Sequence, residues 1–297
     1  MLRWRLITGT LLIAALVALG AADEAIERTG RPPGGVIGAA IVLVVIPLMA
    51  IELTRLLRGA GLGASLPLSL VAAWGGLVAT AGIPLLWQSG DAAGAAASGA
   101  SAAWMPSPDT ATISITALAA VAFLFAGASR QPRGAAGTVG SALIVFVLAG
   151  VLPGYWLRVR VDYSMPLFVG AILVVKVSDM AAYFGGRLAG RNKLIPWLSP
   201  GKTWEGAIIG VAASGAAAAA LALLGEGRLG VPSPGWAAVV GIVLGIAGLF
   251  GDLAESLLKR EAGVKDSGRI LPGMGGMLDL LDSLLFAGPL AWLLLRR

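Results

Sequence analysis

The sequence contains neither histidine nor cysteine. The first absence removes the commonest general base and any imidazole-ligated zinc; the second removes thiol nucleophiles and disulfides. Charge is scarce too, at 13% of residues, against 57% hydrophobic residues and a mean hydropathy of +0.86. So few charges cannot clothe a water-soluble domain. The net charge of +6 does not argue for nucleic acid, because the basic residues sit in short loops between apolar runs. What the chain has in quantity is glycine, 43 residues, which suits helices packed closely in lipid.

Runs near the ~20 apolar residues that span a bilayer recur along the chain. They predict an all-α polytopic membrane protein with nine spans, at about 6–22, 35–51, 66–88, 111–128, 138–157, 164–184, 206–224, 235–257 and 277–295. The first run follows Arg3 and Arg5 and ends in small residues like a signal peptide, but with eight spans behind it a retained helix is expected. With the N-terminus in the cytoplasm, inside segments hold about twice as many Arg and Lys residues as outside ones. That orientation puts 187–205 and 259–275 on the cytoplasmic side. Residues 89–110 are small, polar and low in complexity, an exterior linker.

Polar residues gather from about 164 onward. Gly251 to Ser283 concentrates Asp252, Glu255, Ser256, Lys259, Arg260, Lys265, Asp266, Ser267, Arg269, Asp279 and Asp282. On a helix Asp252, Glu255, Ser256 and Lys259 fall at i, i+3, i+4 and i+7, one polar stripe. Asp279 and Asp282 are i, i+3 neighbours on the next helix. Two carboxylates on one helix facing a third on another can hold magnesium, with phosphate and water completing its octahedron. The glycine-rich basic loop between them can receive those phosphates.

Two further stretches carry charge. Lys176, Ser178 and Asp179 lie at membrane depth, where ionisable groups are costly and face a cavity or a partner; Asp179 is the stronger site candidate, while Lys176 also suits snorkelling. Ser199-Pro200-Gly201-Lys202-Thr203-Trp204-Glu205-Gly206 is not a Walker A loop, since the required first glycine is Pro196. Ser199 or Thr203 can cap the following helix, whose N-terminus with Lys202 attracts an anion.

These two regions together resemble the phosphatidate cytidylyltransferases, also called CDP-diacylglycerol synthases. The resemblance rests on Ser256-Leu257-Leu258-Lys259-Arg260, Lys265-Asp266-Ser267-Gly268, Leu271-Pro272-Gly273, Gly275-Gly276 and Asp279-x-x-Asp282. Ser178-Asp179, Ala182-Tyr183-Phe184, Gly186-Arg187 and the stretch 199–206 extend it. Two positions depart from the family's pattern: Met274 stands for its usual histidine and Leu280 for its usual arginine, which marks a variant subgroup.

The resemblance implies transfer of a cytidylyl group from CTP to phosphatidic acid with magnesium, in the bacterial inner membrane, with a second cation and a homodimer kept as candidates. It implies Asp252, Asp279 and Asp282 as metal ligands and Lys202, Lys259, Arg260, Lys265 and Asp266 as catalytic residues. Asp179, Ser199, Thr203, Glu205, Ser256, Ser267 and Arg269 would contact substrate. On this reading 1–110 are scaffold helices, 111–163 a middle transmembrane hairpin and 164–297 the catalytic domain. Two other readings stay open: a cation-coupled transporter, and a catalytically silent relative with a regulatory role.

Overall fold

The structure, a computed structural model, describes residues 15, 18–26, 36–82, 134–225, 233–270, 273 and 275–295. It is helical almost throughout, as the apolar runs require: a bilayer offers no water to free backbone groups, so a spanning segment satisfies them internally. In chain order, a short helical run at 18–26 is followed by α1 (Val36–Gly59), α2 (Leu66–Leu77), α3 (Ala135–Val145), α4 (Leu152–Asp162) and α5 (Met165–Ala189). Then come two short strands, β1 (Lys193–Ile195) and β2 (Ser199–Thr203), and the helices α6 (Trp204–Leu224), α7 (Pro234–Glu261) and α8 (Met277–Leu295). Single π-helical turns extend α2 and join α3 to α4.

Six described segments are long and apolar enough to cross a membrane: Ile37–Gly59, Ala135–Asp162, Met165–Ala189, Trp204–Leu224, Pro234–Glu261 and Met277–Leu295. They coincide with six of the nine expected spans. The third expected span is a shorter apolar helix, Leu66–Ala81. The fourth, and most of the first, lie outside the described residues.

The chain divides into two compact units, one of residues 42–158 and one of 1–41 with 159–297. In the first, Leu68, Ala72, Ala79, Val139, Ala142 and Phe146 form the core. In the second, α5, α6, α7 and α8 pack on one another. Buried Asp23 belongs to this unit: its carboxylate pairs with Arg160 at 2.7 Å and accepts the Ile37 amide at 3.0 Å.

Helix starts in this unit follow local chemistry. Thr203 caps α6 by accepting the Gly206 amide at 3.1 Å, and Ser233 caps α7 through Trp236 at 3.1 Å, with Pro234 just inside. Of the two expected caps for α6, Thr203 is the one used. The strands pair antiparallel, Lys193 opposite Thr203 and Ile195 opposite Ser199, and hold Lys202 against the start of α6. At Gly251 a side chain would collide with the Asp282 carbonyl. Glycine there lets α7 and α8 touch beside their acidic residues.

Candidate metal and phosphate site

The polar stripe of α7 exists as the sequence periodicity implies, and α8 lies against it. Asp252, Glu255 and Asp282 each present a carboxylate oxygen, and the three oxygens lie within 4.8 Å of one another. Glu255 is 2% exposed, and its Oε1 is buried with no hydrogen-bond partner among the described residues. A buried anionic oxygen left unpaired is costly. The donor set, three hard carboxylates in reach of solvent through the half-exposed Asp252, fits magnesium.

Lysines surround this trio. Lys202, delivered by β2, pairs with Asp252 at 2.7 Å. Lys259 bridges Glu255 and Asp279, at 2.7 Å to each, with all three side chains largely buried. From α5, Lys176 donates to the Leu280 carbonyl and to Ser283 Oγ, both at 2.9 Å, and pairs with Asp179 at 3.6 Å. Asp179, Asp252 and Asp282 are electrostatic neighbours, so α5, α7 and α8 all contribute acids to one cluster.

Asp279 sits differently from its neighbour Asp282. Its Oδ1 meets Lys259, and its Oδ2 accepts from the Ser267 amide at 2.8 Å, Ser267 Oγ at 2.7 Å and the Gly276 amide at 2.8 Å. Gly275 has φ +97°, and a side chain there would strike the Asp279 carboxylate. The loop therefore wraps Asp279 closely, and the carboxylate fastens the loop to α8.

The remaining expected residues take several places. Ser256 donates to Asp252 Oδ1 at 3.3 Å. Glu205, in the first turn of α6, accepts the backbone amides of Arg191 and Asn192 and the Asn192 side chain, which fixes the turn before β1. Arg260 donates to the carbonyls of Leu198 and Val264 and ties the hairpin to the end of α7. Ser199 opens β2 half-buried. Lys265, Asp266 and Arg269 are exposed on the loop, whereas Ser267 is buried. Met274 lies outside the described residues.

Two participants were underweighted in the sequence. Glu255 appeared only as part of a stripe, although its i, i+3 relation to Asp252 already put both acids on one face. The pairing of Lys176 with Asp179 is local, but its acceptors on α8, Leu280 and Ser283, were not legible, because they lie more than a hundred residues away.

The arrangement can neutralise phosphates: acids that hold a cation, lysines beside them, and a helix N-terminus with exposed loop cations next to it. The chain is also similar to known proteins. The model described as "Cytidylyltransferase family" matches residues 34–297. A phosphatidate cytidylyltransferase of Brucella suis biovar 1 is 45% identical over 139 residues, which cover 46% of this chain and 49% of that one. One from Helicobacter pylori is 41% identical over 147 residues, 49% of this chain and 53% of the relative. One from Synechocystis sp. is 35% identical over 185 residues, 52% and 61%. The chain thus spans about half the length of the first curated relatives it matches. With the family's model matched across all the residues that build the acid cluster, its lysines and the helices carrying them, this chain belongs to the cytidylyltransferase family.

Proposed function

We propose that this chain transfers the cytidylyl group of CTP to phosphatidic acid, forming CDP-diacylglycerol and pyrophosphate. The observation that carries the reading is the acid trio ringed by Lys202 and Lys259 at one end of apolar helices. Relatives named phosphatidate cytidylyltransferase support the choice of substrates.

In the reaction a phosphate oxygen of phosphatidic acid attacks the α-phosphorus of CTP, and the bond from that phosphorus to the pyrophosphate oxygen breaks. By analogy with phosphoserine, whose second pKa is about 6, the attacking phosphate is already ionised at neutral pH, so a chain without histidine lacks nothing essential. The work left to the protein is alignment and charge neutralisation. Asp252, Glu255 and Asp282 would hold magnesium, which would supply positive charge for the phosphate oxygens.

Lys202 and the first amides of α6 receive phosphate, and Lys265 and Arg269 reach the departing pyrophosphate from the loop. Lys259 shares its charge between Glu255 and Asp279, which fixes both. Asp279 acts as the clamp that shapes the loop, with Ser267 as its partner, and Ser256 orients Asp252. Thr203 and Glu205 hold the base of the hairpin whose strand β2 carries Lys202, and Ser199 with Arg260 fixes its turn. Asp179 balances Lys176 at the rim, and exposed Asp266 steers the loop lysine beside it. CTP arrives from the cytoplasm and the lipid enters sideways from the inner leaflet of the bacterial inner membrane.

The test is an assay of the purified protein with radiolabelled CTP, phosphatidic acid and magnesium. Label should move into the organic phase as a cytidine liponucleotide. Folded protein that leaves all label in CTP would overturn the reading.

A further inference from the structure

Among the described residues, five carboxylates and three ammonium groups make up the cluster. Asp179 pairs with Lys176, Asp252 with Lys202, and Glu255 and Asp279 share Lys259, while Asp282 completes the acid trio. With every carboxylate ionised, two negative charges remain. One divalent cation cancels them, and a second would leave an excess of positive charge in a partly buried site.

Lys176 decides that balance. A snorkelling lysine runs along its own helix toward the interface. This one reaches sideways, from α5 to the Leu280 carbonyl and Ser283 Oγ of α8, at 2.9 Å to each. Those acceptors are neutral, so they fix the ammonium without using up its charge. That charge acts on Asp179 and on Asp282, the member of the trio with no directly paired lysine among the described residues. Lys202 and Lys259 are each held at 2.7 Å against carboxylates of the cluster, closer than Lys176 stands to Asp179 at 3.6 Å.

We propose that Lys176 is a built-in cation of the site, and that the cluster consequently takes one divalent ion and no second metal. Lys176 is a positioning residue for that ion, acting through Asp282. The inference rests on the metal site of the proposed function but not on the identity of the substrates.

Cation binding to the full-length protein in detergent, followed with Mn2+ by equilibrium dialysis and electron paramagnetic resonance without nucleotide or lipid, tests it directly. Wild type and Lys176→Arg should each bind one Mn2+ per chain with similar affinity. Lys176→Met leaves the cluster one charge more negative and should bind its first Mn2+ at least tenfold more tightly. At an effective dielectric of ~20, a unit charge within ~10 Å of a divalent ion exceeds what a tenfold change requires. A purely structural tie between α5 and α8 predicts the opposite, a loosened site with weaker binding. Lys176→Gln, which can keep a hydrogen bond to α8 without the charge, serves if the methionine variant does not fold. Two Mn2+ ions per wild-type chain, or unchanged or weaker binding in the neutral variants beside a normal arginine variant, would overturn the proposal. A single Mn2+ in a protein that transfers no cytidylyl group would leave this inference standing and refute the proposed reaction instead.

Discussion

Replacing Asp279 by asparagine removes one negative charge from the most densely bonded carboxylate of the cluster. Wild-type Asp279 receives Lys259 on one oxygen and three donors, from Ser267 and Gly276, on the other. Asparagine keeps a single acceptor, so either the ammonium or the loop donors lose their partner. Breaking one side of a buried ion pair costs ~3–5 kcal/mol, but Lys259 retains Glu255 at 2.7 Å and is not stranded. The expected loss is therefore nearer the ~1.5–3 kcal/mol of hydrogen bonds to charged groups. Asp252→Asn is the matched comparison. Asp252 is about one-third exposed and its pair with Lys202 lies partly in solvent, where such pairs contribute ~0–1 kcal/mol. Melting temperature in detergent and Mn2+ affinity should then separate the two variants. Asp279→Asn should melt clearly lower and keep a cation site weakened by the loss of its charge alone, whereas Asp252→Asn should melt near wild type but lose a ligand, and with it the cation site and activity. The converse result, a stable Asp279→Asn protein with a lost cation site, would make Asp279 a ligand, the role the sequence resemblance implies, and refute the clamp.

Gly251→Ala puts a methyl group against the Asp282 carbonyl; overpacking of this kind costs ~1–3 kcal/mol, and the spread helices should bind Mn2+ more weakly, so unaltered binding would remove Gly251 from the site's construction. Leu280→Arg, alone or with Met274→His, should leave kcat unchanged or lower it, because Lys176 already brings a cation to the Leu280 carbonyl; a tenfold rise in kcat would show that the departures are deficits. For topology, single cysteines at exposed Trp197 and Asp266 report on a background that contains none. Both should react with an impermeant maleimide only in inverted vesicles, and reaction in intact cells would reverse the orientation and the proposed route of CTP.

Much of this protein is legible from its sequence because the relevant physics is local. An apolar run of sufficient length must be helical in lipid whatever surrounds it, so the spans at 206–224 and 277–295 match the observed helices at both ends or nearly so. The stripe of Asp252, Glu255, Ser256 and Lys259 follows from helical periodicity alone, and the cap at Thr203 from its own side chain and the next turn. Which carboxylates face one another is another matter. Asp279 and Asp282 are equivalent in spacing and chemistry, yet one turns to Lys259 and the loop while the other joins Asp252 and Glu255. That choice depends on how α8 is rotated against α7, which the contact at Gly251 and the hold of Ser267 and Gly276 on Asp279 set together. Lys176 shows the same limit: its partners on α8 are remote in the chain, and only helix packing brings the ammonium to them.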